Sequence, residues 1–248
     1  MHTDFRIETA RDFRAVFKFY IFGGFVMKKT NTTRLTTSAM MLAMATVLAI
    51  VCAYIPFLNL PFGGGFTVAS MLPIVLIAYM YGVKWGFFVS FTYSLIQIIM
   101  DLLLGRGSTI IALFTPSSED YMGLFAAIAI LVIDYFVAYT VLCIGGVFRN
   151  RIKNKTAAIV LGVVLALGAR YLCHIISGYI FYGAWAEWFF SQEGFYAIGG
   201  HILNAFDGQV LSIIYSIFYN GLYMIPEIVI TAIVAAPVSA IDYIKKQN

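Results

Sequence analysis

Four ionisable side chains, Asp134, Arg170, His174 and Glu227, interrupt long segments that otherwise carry no charge. An ionisable group held in an apolar span is costly and usually functional. Asp134 is preceded by the uncharged run Tyr121–Ile133 and followed by Tyr135–Phe148. Such a carboxylate either forms an internal ion pair, for which Arg170 is the candidate, or answers a cationic ligand. Arg170 and His174 are four residues apart and share one helix face. His174 is either a satisfied structural residue or a ligand contact on that face. Asn220 lies in a third apolar stretch among Tyr215, Tyr219 and Tyr223. A buried amide must find partners; interhelical hydrogen bonds or the donor and acceptor edge of an aminopyrimidine would both supply them. Glu227 follows Pro226, which frees a backbone carbonyl, and reads as structural. Asp101, near the end of its segment, reads as a group that reaches water.

The elements that position these groups follow from composition. The chain has 248 residues, 61% hydrophobic and only 11% charged, against about 25% charged in soluble domains. Leu35 to Val83 contains no Asp, Glu, Lys or Arg. Apolar runs of about 20 residues cross a hydrocarbon layer about 30 Å thick, and only helices satisfy their own backbone groups there. The expected fold is all-α, a polytopic bundle of six transmembrane helices at about 35–55, 69–83, 86–104, 121–148, 156–181 and 209–241. Lys28, Lys29 and Arg34 precede the first span, Lys84 separates the second and third, Arg149, Arg151, Lys153 and Lys155 separate the fourth and fifth, and Lys245 and Lys246 follow the sixth. Positive loops stay inside, so both termini are expected in the cytoplasm of a bacterial cell, with the chain in its plasma membrane.

Residues 1–26 are of mixed charge and end in an apolar run too short to span. Met27-Lys28-Lys29 resembles the start of an inner-membrane protein, so 1–26 reads as an upstream extension from a misplaced start, with an interfacial helix as the competing reading, and 27–248 as one membrane domain. The net charge of +4 sits in short loops rather than on one face, which argues against nucleic acid. Cys52, Cys143 and Cys173 lie in apolar segments without metal spacing, and no cofactor is expected. No phosphate cradle and no common hydrolytic motif occurs, so neither ATP hydrolysis by the chain itself nor an enzyme is supported. The loop 182–208 is aromatic, with Tyr182, Trp185 and Trp188. Most of it suits an interfacial belt, although one or two rings beside the fifth span could stack on a planar ligand. The glycines of Pro61–Phe66 could hinge a lid or merely turn. In the first span Ala39 and Ala43 lie on one face and Ala45 and Ala49 on nearly the opposite one. One stripe of small residues can pack internally and the other can dock a partner helix.

Arg170-Tyr171-Leu172-Cys173-His174-Ile175-Ile176-Ser177-Gly178 and Tyr219-Asn220-Gly221-Leu222-Tyr223-Met224-Ile225-Pro226-Glu227 resemble signature stretches of the thiamine-specific substrate-binding subunits (S components) of energy-coupling factor transporters. Asp134-Tyr135 with Ala138 resembles that family's acid-tyrosine stretch, with an aspartate in place of glutamate, and Tyr182 stands where the family has a tryptophan. The resemblance covers about residues 35–243. It implies a vitamin pocket near the outer face, a transmembrane coupling subunit and two ABC-type ATPases as partners. It implies that His174 touches the ligand, Tyr215 and Asn220 hold the pyrimidine and Asp134 answers the thiazolium, with Tyr135, Tyr182 and Trp185 in the same wall. Two other readings stay open: a self-sufficient proton-coupled carrier of a small organic cation, using Asp134 and His174 as a relay, and an S component for a thiamine precursor.

Overall fold

The computed structural model describes residues 31–60, 65–104, 109–241 and 244. The amino-terminal extension, Pro61–Gly64 of the glycine-rich loop, Lys28, Lys29, Lys245 and Lys246 lie outside them. The described residues form helices α1 (Asn31–Ala53), α2 (Leu72–Tyr81), α3 (Val83–Leu104), α4 (Thr109–Phe114), α5 (Leu124–Gly146), α6 (Lys155–Phe181), α7 (Ala186–Phe190), α8 (Tyr196–Ala205) and α9 (Gly208–Val238). Among them α1, α3, α5, α6 and α9 are long and apolar enough to cross a membrane. Their outward faces carry Phe125 at 89%, Leu103 at 75% and Ile233 at 66% exposure, surfaces suited to lipid rather than water.

The second expected span takes another form. Its helix, α2, has 10 residues, which is about 15 Å at 1.5 Å per residue and half of what a crossing needs. Leu72 through Met80 are all buried, as befits a helix that is apolar all round. The preceding backbone reaches the bundle interior, where Glu227 of α9 accepts hydrogen bonds from the Thr67 amide and hydroxyl. Thr67 in turn bonds Ser70. Non-helical backbone at that depth is tolerable because protein encloses it and satisfies its polar groups.

Backbones meet closely where α2, α3, α5 and α6 cross. A Cβ on Gly86 would fall 2.6 Å from Ala78 Cβ, and one on Gly145 2.6 Å from Val75 Cγ1. Gly146 is pressed against the Ala78 backbone and Gly162 against that of Gly145. Small residues at such crossings let membrane helices approach. The basic turns gather at the same end of this seam: the Arg149 guanidinium lies 3.6 Å from where a Cβ of Gly82 would be, next to Lys84. Asn154 caps α6 there by accepting from Ala157 N at 3.1 Å.

On α1 the two alanine stripes differ. Ala45 is fully buried in the main core, which removes it as a direct docking residue; Ala49 is half-buried, and Ala39 and Ala43 are exposed. A face that packs on its own protein has no area left for a partner.

Candidate functional site

In α5 the backbone widens into a π-helical stretch over Leu131–Val137, which contains Asp134 and Tyr135, before tightening to a 3₁₀ turn over Val141–Gly146. Single π turns inside α-helices recur at functional sites. Asp134 reaches α6, where Oδ1 lies 2.8 Å from His174 Nδ1 and Oδ2 accepts from Ser177 Oγ at 2.6 Å. The side chains of His174 and Asp134 are 10% and 18% exposed.

These groups border a cavity of about 410 Å³, within the range of small-molecule sites, roughly 300–1,000 Å³. Asp134, Tyr135, His174, Tyr182, Trp185, Tyr215 and Asn220, scattered over three long helices and a loop in the sequence, all line it. The cavity occupies the half of the bundle remote from the basic turns, since its lining comes from the later half of α6 and the earlier half of α9.

Two sequence expectations change here. Asp134 pairs with His174 and Ser177 rather than with Arg170. The Arg170 guanidinium instead lies 4.4 Å from the centre of the Tyr139 ring, with Nη1 3.1 Å from Met71 Sδ. Asp134 therefore meets His174 and Ser177 at the pocket floor, and Arg170 lines the same cavity without a bond to that carboxylate. Asp101 does not simply reach water; it accepts from Ile110 N at 3.1 Å. It thereby ties the end of α3 to the start of α4.

Asn220 is 6% exposed, and its amide is largely committed. Nδ2 donates to Ser216 O at 2.8 Å and to His174 O at 3.2 Å, and Oδ1 accepts from the Tyr223 hydroxyl. Asn220 therefore links α9 to α6, and the amide offers a ligand one remaining lone pair on Oδ1 rather than a donor and an acceptor.

Tyr215, Tyr219 and Tyr223 recur every fourth residue and form one aromatic face, with Tyr215 and Tyr219 ring centres 5.5 Å apart. Phe189 packs edge-on against both at 5.3 and 5.7 Å, so the segment after α6 seats on that face. Trp185 and Trp188 meet edge-to-face at 5.9 Å above the cavity. Tyr139, Trp188, Tyr219 and Tyr223 also line the site. Tyr139 and Asp120 escaped sequence reasoning: the fourfold spacing from Tyr135 could have indicated Tyr139, whereas Asp120, in the loop before α5, lines the cavity with no comparable signal in the sequence.

Chemically, the site can hold a flat, partly polar cation: an acid on the floor, hydrogen-bonding groups beside it and aromatic walls around it. Residues 35–192 match the sequence model of the thiamine transporter protein family (Thia_YuaJ). The thiamine transporter ThiT of Bacillus subtilis (strain 168) is 30% identical over 210 residues, covering 81% of this chain and 87% of that protein. The solved structure of ThiT from Listeria monocytogenes shares the fold, with a TM-score of 0.52 over 84% of this chain and 93% of that one at 19% identity.

Proposed function

The chain belongs to the thiamine transporter protein family, and we propose on that premise that it is the thiamine-binding subunit of an energy-coupling factor uptake transporter. It is a multi-pass protein of the bacterial plasma membrane. In the proposed function it captures thiamine near the outer face and hands it inward with a transmembrane coupling subunit and two ABC-type ATPases. The observation that carries the reading is the convergence of Asp134, His174, Asn220 and the tyrosine face on one cavity. The basic turns at the opposite end support an outward-facing cavity by the positive-inside rule.

The roles follow from the atoms each residue has free. Asp134 supplies negative charge for the thiazolium. Asn220 Oδ1 and the Tyr215 hydroxyl suit the aminopyrimidine, and His174 touches the ligand through its ring. Tyr135, Tyr182 and Trp185 close over the flat rings. A thiamine titration of the purified protein, together with mass spectrometry of what co-purifies from native membranes, tests the assignment. Thiamine binding with two ATPases recovered is the expected result.

One observation favours a second reading: the hydrogen-bonded Asp134–His174 pair is what a proton relay needs. Uptake that survives ATP depletion but collapses with the proton gradient would identify a self-sufficient carrier instead.

Coupling gives a separate expectation. Ala39 and Ala43 face outward on α1, where a partner helix can approach closely only if residues stay small. Ala39→Trp and Ala43→Trp are expected to abolish uptake in cells while leaving thiamine affinity within about twofold, because neither lies in the cavity. Wild-type uptake in both variants would place the docking face elsewhere.

A further inference from the structure

Resting on the thiamine reading, we propose that Ser177 is a positioning residue for recognition of the ligand's positive charge. A serine in an apolar helix ordinarily returns its hydroxyl to the carbonyl four residues back. Ser177, 1% exposed, instead donates across to α5, to Asp134 Oδ2 at 2.6 Å. The other carboxylate oxygen meets His174 Nδ1 at 2.8 Å. Both donors come from one face of α6, three residues apart, and together they fix the plane of the carboxylate.

Two consequences follow from that clamp. An ionised carboxylate only accepts, so His174 carries a proton on Nδ1, and in its neutral form the ring presents Nε2 as a bare acceptor. His174 Nε2 is buried and has no partner among the described residues, although the ring borders the cavity. It therefore suits a ligand N–H or O–H and rejects an acceptor. The second consequence concerns charge. Without Ser177, Oδ2 would lose its donor and the carboxylate would be held through Oδ1 alone, so its plane could turn away from the position that meets the cation. Fixed dipoles and charges recognise an ion well because they need no reorganisation when it arrives. Ser177 thus acts through Asp134 and touches no part of the ligand itself.

Calorimetry with thiamine and with its neutral thiophene isostere, which has the same shape without the charge, tests this on the full-length protein in detergent. Ser177→Ala is expected to weaken thiamine by roughly ten- to a hundredfold, the loss that accompanies one hydrogen bond to a charged group. The isostere should change by less than about threefold, and Ser177→Thr, which keeps the hydroxyl, should recover most of the thiamine affinity. A parallel thermal unfolding curve separates loss of fold from loss of positioning. Equal weakening of both ligands by Ser177→Ala, or none, overturns the proposal and leaves the thiamine reading intact. Failure of the wild-type protein to bind thiamine overturns both.

Discussion

Asp134→Asn is expected to weaken thiamine binding by roughly 30-fold to several thousandfold while an uncharged pyrimidine fragment binds nearly as before. The thiazolium charge is permanent, so no change of pH relieves the cost of bringing it out of water. Removing one partner of a largely desolvated charge pair typically costs roughly 2–5 kcal/mol, and every 1.4 kcal/mol is about tenfold in affinity. Asparagine keeps the shape and still accepts from His174 Nδ1, and the Ser177 hydroxyl can turn to accept from the new amide. The variant therefore removes charge with little disturbance of the α5–α6 link. Arg170 does not complicate the result, because its guanidinium lies over the Tyr139 ring and Asp134 bonds His174 and Ser177 instead. Calorimetry with both ligands reads the ratio directly. Wild-type thiamine affinity in Asp134→Asn would make the acid a structural tie between α5 and α6 and remove the main support for a cation site.

The polar members of this site were readable in the sequence because apolar runs make them conspicuous. Asp134, His174 and Asn220 each interrupt a segment that has no other reason to hold them, whereas Tyr215 came from the family resemblance. Which of several partners each would take was not readable. Arg170 and His174 lie one turn apart on the same helix face, so spacing and hydropathy do not choose between them as partners of Asp134. Ser177 was invisible for a related reason: its usual bond is to its own helix. The second span was legible as a short one, tilted or sheltered by its neighbours, and the burial of α2 agrees with the sheltered form; periodicity alone cannot distinguish a buried helix from a crossing one. The alanine stripes of α1 were legible as two faces, but only packing against the core shows that Ala45 belongs to the inner one.

Two glycines six residues apart on α6 should respond oppositely to the same change. A Cβ on Gly162 would fall on the carbonyl of Gly145, whose carbon lies 3.2 Å away, whereas one on Gly168 would find nothing within 4 Å. The obstacle at Gly162 is backbone, so no rotamer change relieves it; α5 and α6 must separate. Overpacking of this kind costs typically about 1–3 kcal/mol and occasionally more, so Gly162→Ala should lower the unfolding temperature, and Gly162→Leu should yield no monodisperse protein. Gly168→Ala removes a helix-interior glycine at no steric cost and should be neutral or stabilising by up to about 1 kcal/mol. The seam also sets the distance between the helix that carries Asp134 and the helix that carries His174 and Ser177. A shift of even about 1 Å breaks bonds of 2.8 and 2.6 Å, because hydrogen bonds weaken steeply beyond about 3.2 Å. Gly162→Ala is accordingly expected to lose thiamine affinity although it lies outside the cavity, and Gly168→Ala to keep it. Thermal unfolding and thiamine titration of the two alanine variants side by side test both effects. Equal stability and equal affinity in the pair would show that α5 and α6 do not meet through Gly145 and Gly162, and that the spacing of the pocket floor is set elsewhere.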